Sequence, residues 1–445
     1  MKVEGGFILE FNEKLLCHIW DAQHLTKDLN TVSGKPLRII YPGRWNTDRG
    51  PDFRDIVVEI DGTLFRGDAE VHLDTYGWKA HGHDDDFHYN NVILHIVYEH
   101  NGYTDYTFTE DGSHIEIIEL KHSLDDDLSK LIKKYEGSPF IPQLCHFFAG
   151  IDANSLQAIL SKLGNDRMKR KVNRFAAELY FSDFNQLIYQ GILEAGGYSK
   201  NSHNMIQIAN FYPYADLKRW KAEGMTLLEM QAILVCGSGL SEHLTSVMDD
   251  NFLLDLKNCY ALQNFTSTKI DLEWQLFRIR PTNHPLIRLI QLSYMIYNSL
   301  ETSLLAITLN VFSVPINERT VKTISVNLHK LFYEKTAVKP FRIGITRIDI
   351  INVNIIIPII ILYAEKMGYE TLANTAWDIY REYRALPPNA IESMLKKKYM
   401  NESQQSTLGE KAIYQQGLLK LYKDFCQYHN CELCVERKRE LISEM

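Results

Sequence analysis

The sequence has little of several features that mark particular protein classes. It has 13 prolines and 24 glycines in 445 residues, so it is neither collagen-like nor a low-complexity disordered chain. Its seven cysteines are an odd number in a long chain, which argues against disulfide stapling and favours a reducing cytoplasm. The chain has fewer basic than acidic residues, 48 Lys and Arg against 56 Asp and Glu. The formal net charge of −8 excludes a globally basic nucleic-acid coat protein.

Long apolar runs are also missing. The most apolar stretch, residues 348–363, is shorter than the roughly 20 residues that a membrane-spanning helix requires, and Asp349, Asn352, Asn354 and Pro358 interrupt it. We therefore expect a buried helix and no membrane partner. The N-terminus has no basic segment followed by an apolar one, so no signal peptide is predicted and a cytoplasmic location is expected.

Hydrophobic periodicity divides the chain, whose length favours two or three domains. A helix is predicted over 9–22, and extended runs separated by turn signals follow it. These runs are 37–41, 53–60, 63–73 and 92–98, with a hairpin over 103–109 and 114–120. Amphipathic helical patterns then extend to about residue 425. The predicted fold is α+β or α/β, with a mixed-sheet domain at 1–125, a large all-helical domain at 126–425 and a cysteine-rich metal-binding tail at 426–445.

Charge follows a similar division. Residues 1–150 carry 14 Lys and Arg against 26 Asp and Glu, a net charge of −12, whereas the remaining residues carry +4. One interpretation is that a bound divalent cation neutralises some of these carboxylates. The other is an acidic surface exposed to solvent, which gives the same net charge.

Carboxylates and a histidine share one face of a predicted strand. Residues i and i+2 of a strand point the same way, so Asp68, Glu70 and His72 lie on one side. Asp52 opens the preceding strand. Oxygen ligands favour Mg²⁺ or Mn²⁺, and an imidazole shifts the preference toward Mn²⁺, Fe²⁺ or Zn²⁺. The sequence therefore predicts a divalent-metal site that activates water for phosphoryl chemistry, with Asp68 assisting.

Pro51-Asp52 and Glu70-x-His72, in the order helix, three strands, short helix and strand, resemble the PD…(D/E)xK signature of the restriction-endonuclease-like superfamily. The resemblance implies a nuclease-like fold in which Asp52 and Glu70 bind the metal and Glu13 is an accessory carboxylate. The lysine of the signature is His72 here, which would act in its place near neutral pH. The implied function is hydrolysis of nucleic-acid phosphodiesters, with DNA or RNA as the partner.

Six of the sixteen histidines fall between residues 72 and 100. His81-Gly82-His83 precedes three aspartates, so a second hypothesis is hydrolysis of a small phosphoester in this segment. No HExxH motif is present, and His95 lies within an apolar strand where a core position is expected. The alternative class is a non-catalytic nucleic-acid-binding or scaffold protein, which histidine in the place of lysine favours.

Cysteines cluster near the C-terminus as Cys426-x4-Cys431-x2-Cys434. Three cysteines in so short a stretch of a cytosolic chain indicate metal ligation, with either Cys145 or His429 as a fourth ligand. Thiolates select Zn²⁺ or an iron–sulfur cluster such as 4Fe-4S. The arrangement is similar to the iron–sulfur staples of some helicase-nuclease and CRISPR-associated PD…(D/E)xK proteins. That similarity implies that Cys145 pins the tail to the N-terminal domain.

A third polar group lies in the helical half. Arg278, Arg280, Asn283 and Arg288 surround two prolines at the expected start of a helix. Arginines in such a place either clamp a phosphate or carboxylate bidentately or pair with the acidic domain at an interface. A basic helix over 167–174 is expected to add phosphate contacts.

Segments along most of the chain also resemble an uncharacterised bacterial family, domain-of-unknown-function family 2851. They are GPDF at 50–53, GDAEVH at 67–72, Trp78 with HGH at 81–83, VILHIVY at 92–98, RIRPTNHPLIR at 278–288 and the C-terminal cysteines. This resemblance implies no particular activity or protein partner. It does imply that the two halves occur together as one protein.

Overall fold

A computed structural model describes residues 11–46, 49–136, 145–243, 249–314, 320–332, 342–408 and 411–444. The chain divides into two compact units. Unit 1 comprises Met1–Ile151 and Leu421–Met445, and unit 2 comprises Asp152–Lys420. The sequence placed its boundaries at residues 125 and 425. In the structure the sheet-containing unit extends to Ile151 and takes up the chain again at Leu421.

Unit 1 is built on a mixed sheet, which has eight strands in the described residues. The strands are β1 Leu29–Asn30, β2 Pro36–Tyr41, β3 Arg44–Trp45, β4 Phe53–Ile60, β5 Thr63–Asp74, β6 Val92–Glu99, β7 Tyr106–Phe108 and β8 His114–Glu119. Their order is β1-β2-β4-β5-β6-β8-β7, with β3 beside β4. The first four strands along this path are antiparallel, β5, β6 and β8 are parallel, and β7 is antiparallel to β8.

Helix α1, Glu13–Ala22, packs its apolar face against this sheet. Asn12 caps the helix by accepting a hydrogen bond from the backbone N–H of Leu15 at 3.1 Å, which satisfies one of the amides that a helix start leaves unpaired. Leu16, Ile19 and Trp20 are completely buried in the core beneath the sheet. This burial fixes α1, and with it Glu13, beside β5.

The crossover between the parallel strands β5 and β6 is short and mostly polar. It contains helix α2, Gly77–Ala80, and two single 3₁₀ turns, His83–Asp85 and Phe87–Tyr89. The sequence predicted a short helical segment here from 81–91. Helix α3, Leu128–Glu136, follows the sheet.

Unit 2 is mostly helical in its described residues. The helices that begin in it are α4 Ala153–Glu178, α5 Phe184–Phe211, α6 Tyr214–Ala222, α7 Leu227–Cys236, α8 Asp250–Leu262, α9 Pro285–Ser299, α10 Leu304–Phe312, α11 Thr320–Leu331, α12 Ile345–Ile351, α13 Ile357–Met367, α14 Glu370–Glu382, α15 Ala390–Tyr399, α16 Glu402–Leu408 and α17 Ala412–Asp424. A mixed sheet followed by a mostly helical unit is the α+β organisation that the sequence predicted.

A π-helical turn, Asn352–Ile356, joins α12 to α13 and makes Ile345–Met367 continuous. Within the described ranges, this helix alone is long and apolar enough to cross a membrane by length and composition. However, 78% of its most apolar window is buried inside the protein. It therefore has the buried position that the sequence predicted for residues 348–363.

The C-terminal segment completes unit 1. Helix α18, Cys431–Ser443, lies against the segment that follows Cys145, because Lys438 Nζ donates hydrogen bonds to the carbonyl oxygens of His146 at 3.1 Å and Ala149 at 3.0 Å. The Asn430 side chain donates to the carbonyl of Lys134. These contacts join two parts of unit 1 that are distant in sequence.

Candidate functional site

The pairing of β4 with β5 brings Asp52 and Glu70 together. The backbone N–H of Asp52 donates to Glu70 Oε2 at 2.8 Å, and the backbone N–H of Val71 donates to Asp52 Oδ2 at 3.1 Å. Each carboxylate thus accepts a hydrogen bond from the backbone at or next to the other residue. Within the described part of the chain, Oδ1 of Asp52 and Oε1 of Glu70 accept no hydrogen bond, so both remain available to a ligand. The sequence predicted this pair from strand order.

Asp68 has a different role from these two carboxylates. It is completely buried, and its oxygens accept hydrogen bonds from Arg54 Nη1 at 2.8 Å and from the backbone N–H of Asp55 at 3.0 Å. Asp55 lies in the bulge where β4 shifts register against β5, and its φ is +57°. Asp68 therefore stabilises the bulge beside Asp52, and both of its oxygens are occupied. This geometry does not support the assisting catalytic role predicted for Asp68.

His72 lies in a chain of hydrogen-bonded side chains. Its Nδ1 is 2.9 Å from His95 Nε2, and Nδ1 of His95 is 2.8 Å from Thr107 Oγ1. On the other side, His72 Nε2 is 3.1 Å from His81 Nδ1. His72, His95 and Thr107 are buried, whereas His81 is exposed. If each ring donates toward Thr107, then Nε2 of His72 keeps its lone pair and faces His81 as an acceptor or ligand.

The geometry around Glu70 fits a shared cation. His83 Nε2 is buried, lies 3.2 Å from Glu70 Oε1 and has no hydrogen-bond partner in the described ranges. Ligand atoms that share one ion at about 2.1 Å lie roughly 3.0–3.4 Å apart in octahedral or tetrahedral geometry. One ligand atom each from His72, His81 and His83 also lies within 4.8 Å of the others. His72 Nε2 is 4.0 Å from Glu70 Oε1.

Burial sets the protonation of these groups. Burial and then the charge of Glu70 raise the pKa of Asp52 to about 7. Burial likewise raises the pKa of Glu70 to about 7, with Glu13 contributing in the same direction. Burial, followed by the neighbouring histidines, lowers the pKa of His72 to about 2 and that of His95 to about 3. The imidazoles are therefore neutral at physiological pH, which is the form that binds metals.

The lowered pKa bears on the predicted role of His72. A base in the place of lysine needs a free nitrogen and a proton affinity near neutral pH. Both nitrogens of His72 are within hydrogen-bond distance of other histidines, and burial opposes its protonation. The geometry favours a ligand over a base. Glu13, at the start of α1, is close enough to raise the pKa of both Asp52 and Glu70, as an accessory carboxylate would.

The backbone of Gly77 packs closely against the His72 side chain. A Cβ at this position would lie 2.6–2.8 Å from Cδ2, Cγ and Cβ of His72, closer than side chains approach one another. Trp78 follows it and donates its Nε1–H to the carbonyl of Phe108 at 3.0 Å. The indole lies edge-on to the His72 ring at 6.5 Å between centroids. Helix α2 thus confines the ring that carries Nε2.

The four predicted metal-binding cysteines all belong to unit 1, near enough to influence one another electrostatically. Cys431 and Cys434 lie one turn apart on α18, and Cys426 starts the 3₁₀ turn that precedes the helix. Burial raises the pKa of Cys426 to about 12, and the thiols of Cys145 and Cys431 add to this rise. Burial also raises the pKa of Cys434, with Cys426, Cys145 and Cys431 adding to it. All four thiols are free of disulfides.

The arginine group predicted in unit 2 separates into two parts. Asn283 Oδ1 accepts a hydrogen bond from Arg288 Nη2 at 2.9 Å, and Arg288 is buried. Arg278 and Arg280 are exposed, and the Arg278 guanidinium lies 5.0 Å from the ring centroid of its neighbour Phe277.

The basic helix 167–174 is largely committed to internal contacts. Lys171 donates to Asn354 Oδ1 at 2.6 Å and to Gln416 Oε1 at 2.9 Å, and Arg174 forms a two-bond ion pair with Glu194. These contacts replace the phosphate contacts that the sequence predicted for these two residues.

Several residues of these two sites were not predicted from the sequence. Thr107 and Gly77 act only through tertiary contacts, so no motif marks them. His83 did carry a signal, since His81-Gly82-His83 was already conspicuous, but its approach to Glu70 depends on the crossover turn. In unit 2, Tyr198 contacts both Arg288 and Arg347, although about 150 residues separate Tyr198 from Arg347 in the sequence.

Comparison with protein families gives one match for this chain. A family model described as "Protein of unknown function (DUF2851)" matches residues 13–386. The search of curated proteins gave no match, and the search of solved structures gave none. The matched range includes Asp52, Glu70 and the histidine cluster and ends before the three C-terminal cysteines.

Proposed function

Because the chain belongs to the DUF2851 family of proteins of unknown function, we propose an activity from the site itself: divalent-metal-dependent hydrolysis of nucleic-acid phosphodiesters. The observation that carries this proposal is the buried Nε2 of His83, which lacks a hydrogen-bond partner and lies 3.2 Å from Glu70 Oε1. A buried polar atom without a partner costs about 1–3 kcal/mol, and a shared cation would satisfy both atoms.

The residues that would hold the ion are Glu70, His72, His81 and His83. Three imidazoles beside one carboxylate favour Mn²⁺, Fe²⁺ or Zn²⁺ over Mg²⁺, which the sequence had placed here together with Mn²⁺. His95 and Thr107 fix the tautomer of His72, as hydrogen-bonded partners of ligating histidines do. A bound divalent ion supplies positive charge that acidifies water and stabilises charge on a phosphoryl group.

Asp52 and Glu13 complete the site on the side of α1. Asp52 presents Oδ1, while its Oδ2 is held by the backbone of Val71. We assign Asp52 the orientation of the attacking water and Glu13 an auxiliary role. His81 is exposed, so a substrate reaches the site from its side.

Two observations support nucleic acid as the substrate class. Asp52 lies just before β4 and Glu70 lies in β5, which supports the resemblance to the PD…(D/E)xK signature of nuclease-like proteins. Phe87 is 65% exposed in the segment that carries His81 and His83, and exposed aromatic rings beside a phosphate-processing site stack on bases.

The test is a cleavage assay on protein purified without oxygen. Labelled single-stranded and duplex DNA and RNA are incubated with Mn²⁺, Zn²⁺ or Mg²⁺, and metal affinity is measured by calorimetry. Glu70→Gln keeps an acceptor for the Asp52 N–H but removes a charged ligand, so cleavage should vanish. Metal affinity should fall by more than the roughly 10–100-fold that loss of an orienting partner causes. Glu59→Gln, on the same sheet and paired with the exposed Arg38, is the matched control and should change neither.

Each other outcome has a distinct meaning. Metal binding that depends on Glu70 without any cleavage would replace the nuclease proposal with the non-catalytic nucleic-acid-binding or scaffold protein. Cleavage of bis(p-nitrophenyl) phosphate but of no polymer would identify a small-phosphoester hydrolase. Equal cleavage by wild type and Glu70→Gln would refute the site.

For the four cysteines we propose a structural metal centre held by Cys145, Cys426, Cys431 and Cys434. Buried thiols with raised pKa values stay protonated unless a cation stabilises the thiolates, and Zn²⁺ or an iron–sulfur cluster does so. Metal analysis of the anaerobically purified protein should find zinc or iron, and a cluster would add visible absorption. Cys145→Ser should lose the metal, whereas Cys259→Ser, in unit 2, should retain it. Wild-type protein without either metal would refute the centre.

A further inference from the structure

Two buried arginines in unit 2 lack an acidic partner. Arg288, on α9, and Arg347, on α12, are 6% and 8% exposed. Arg288 donates to Gln291 Oε1 at 2.8 Å, to the Tyr198 hydroxyl at 2.7 Å and to Asn283 Oδ1 at 2.9 Å. Arg347 donates to the carbonyl of Ala195 at 3.1 Å. All of these acceptors are neutral, and across the described ranges no carboxylate pairs with either guanidinium.

The neighbouring acidic side chains are engaged elsewhere. Glu194 binds Arg174 with both oxygens, at 2.9 and 2.7 Å. Asp349 lies two residues after Arg347, but its oxygens contact His329, Tyr383 and Arg384. The two positive charges therefore lie together without compensation from the residues next to them in sequence.

The side chain of Tyr198 contacts both cations. The guanidinium carbon of Arg347 is 3.5 Å from its centroid, and that of Arg288 is 5.3 Å away. Tyr198 has φ +56° and ψ −158°, a conformation that L residues rarely adopt, within the kink of α5. Its hydroxyl donates to Asn283 Oδ1 at 2.7 Å. A residue with an unfavourable backbone conformation thus carries the ring that contacts both arginines.

The unpaired atoms point to the kind of ligand. Nε of Arg288 and Nε of Arg347 are both buried and have no hydrogen-bond partner among the residues that the structure describes. Guanidinium groups bind oxyanions bidentately with parallel N–H donors, and arginine remains charged even when buried. Two unused donors on two adjacent cations match an anion with several oxygens. A small or terminal group is required, because exposures of 6% and 8% leave little access for the middle of a polymer.

We propose that Arg288 and Arg347, with Tyr198 and Asn283, form a binding site for a phosphate-type oxyanion, either free phosphate or the terminal phosphate of a small monoester. The sequence had placed Asn283 and Arg288 in a phosphate clamp together with Arg278 and Arg280. Arg347 and Tyr198 take the place of those two exposed residues. The site stands independently of the metal site in unit 1, so either can fail alone.

The test is calorimetry and thermal unfolding of the full-length protein in sodium phosphate against sodium chloride at equal ionic strength. Phosphate should bind saturably and raise the unfolding temperature by several degrees. A nucleoside 5′-monophosphate and glycerol phosphate, run in parallel, identify the source of the phosphate. Tighter binding of either ester than of free phosphate assigns the site to monoesters.

The decisive variant is Arg347→Met, which keeps the alkyl stem and removes one charge. In chloride it should unfold at the same or a higher temperature than wild type, because an uncompensated buried charge is gone. Its affinity for phosphate should fall at least tenfold. A purely structural arginine would predict the opposite, a lower unfolding temperature with an unchanged phosphate response. Arg219→Met, at an exposed arginine of α6, is the matched control and should alter neither quantity.

Three results would overturn the site. They are an unfolding temperature that is indifferent to phosphate, a phosphate response that survives Arg347→Met unchanged, and a response that sodium chloride reproduces at equal ionic strength.

Discussion

Gly77→Ala tests whether the position of His72 depends on the absence of a side chain in α2. The new Cβ would lie 2.6–2.8 Å from three atoms of His72, so the ring must move by roughly 0.6–0.8 Å to reach ordinary contact. A shift of that size changes the distance or the angle of the 2.9 Å contact with His95 and of the 3.1 Å contact with His81, and so weakens them.

The expected size of the effect follows from two opposing terms. Overpacking costs about 1–3 kcal/mol. Alanine also lowers the conformational entropy of the unfolded chain, which stabilises the folded state by about 0.4–1 kcal/mol. This gain applies because Gly77 does not have a positive φ. The net destabilisation should be about 1–2 kcal/mol. Affinity for Mn²⁺ or Zn²⁺ should fall about 10–100-fold, as when a ligating histidine loses its orienting contacts.

The assay is urea unfolding followed by tryptophan fluorescence, together with metal titration by calorimetry. A double-mutant cycle isolates the contact with the ring, since His72→Ala removes Cγ and Cδ2 and leaves only the Cβ contact, so Gly77→Ala should cost clearly less in that background. Gly344→Ala, where a Cβ meets no atom within 4 Å, should stay within about 0.5 kcal/mol of wild type. An equal cost of Gly77→Ala in both backgrounds would refute the reasoning, as would unchanged metal affinity.

Three further predictions concern unit 1. The unfolding free energy of the metal-free protein should fall as pH rises from about 4.5 to 7 and level off above that, because burial raises the pKa of Asp52 and Glu70 to about 7, so that the folded state still binds protons that the unfolded chain has lost. Denaturation at each pH measures this slope, and Asp52→Asn should reduce it. Thr107→Val should weaken Mn²⁺ or Zn²⁺ binding about 10–100-fold by calorimetry while the fold is retained, and an unchanged affinity would exclude a role in holding the His72 tautomer. Arg54→Met should lower the free energy of unfolding, measured in urea, by about 3–5 kcal/mol, because it leaves the buried Asp68 carboxylate without its cation. Arg38→Met, at the exposed pair with Glu59, should lower it by less than about 1 kcal/mol.

Local patterns predicted the sheet well and the site in part. The bounds of β4 agree with the predicted strand, and the meeting of Asp52 with Glu70 followed from strand order alone. The α+β organisation followed from the change of hydrophobic period. These features depend on neighbours in sequence, which periodicity records.

Contacts between distant segments lay beyond that reasoning. Glycine is a poor helix former, yet α4 runs through Gly164 without a break. Gly164 is there because a Cβ would meet the carbonyl oxygen of Ile413, which is a packing requirement and not a helix stop. Arg347 likewise showed no signal, because its partner ring at Tyr198 depends on how three helices pack.

The division of unit 1 between both ends of the chain has a consequence for its biosynthesis. The strands that carry Asp52 and Glu70 leave the ribosome early, but Cys426, Asn430 and Lys438 follow only after the roughly 270 residues of Asp152–Lys420. At about 5–20 residues per second, this delay is roughly 15 to 55 s. During that time the nascent sheet lacks α18, and Cys145 awaits its three partners. The order of synthesis therefore makes docking of the tail, and with it assembly of the proposed cysteine centre, a late step in the maturation of unit 1.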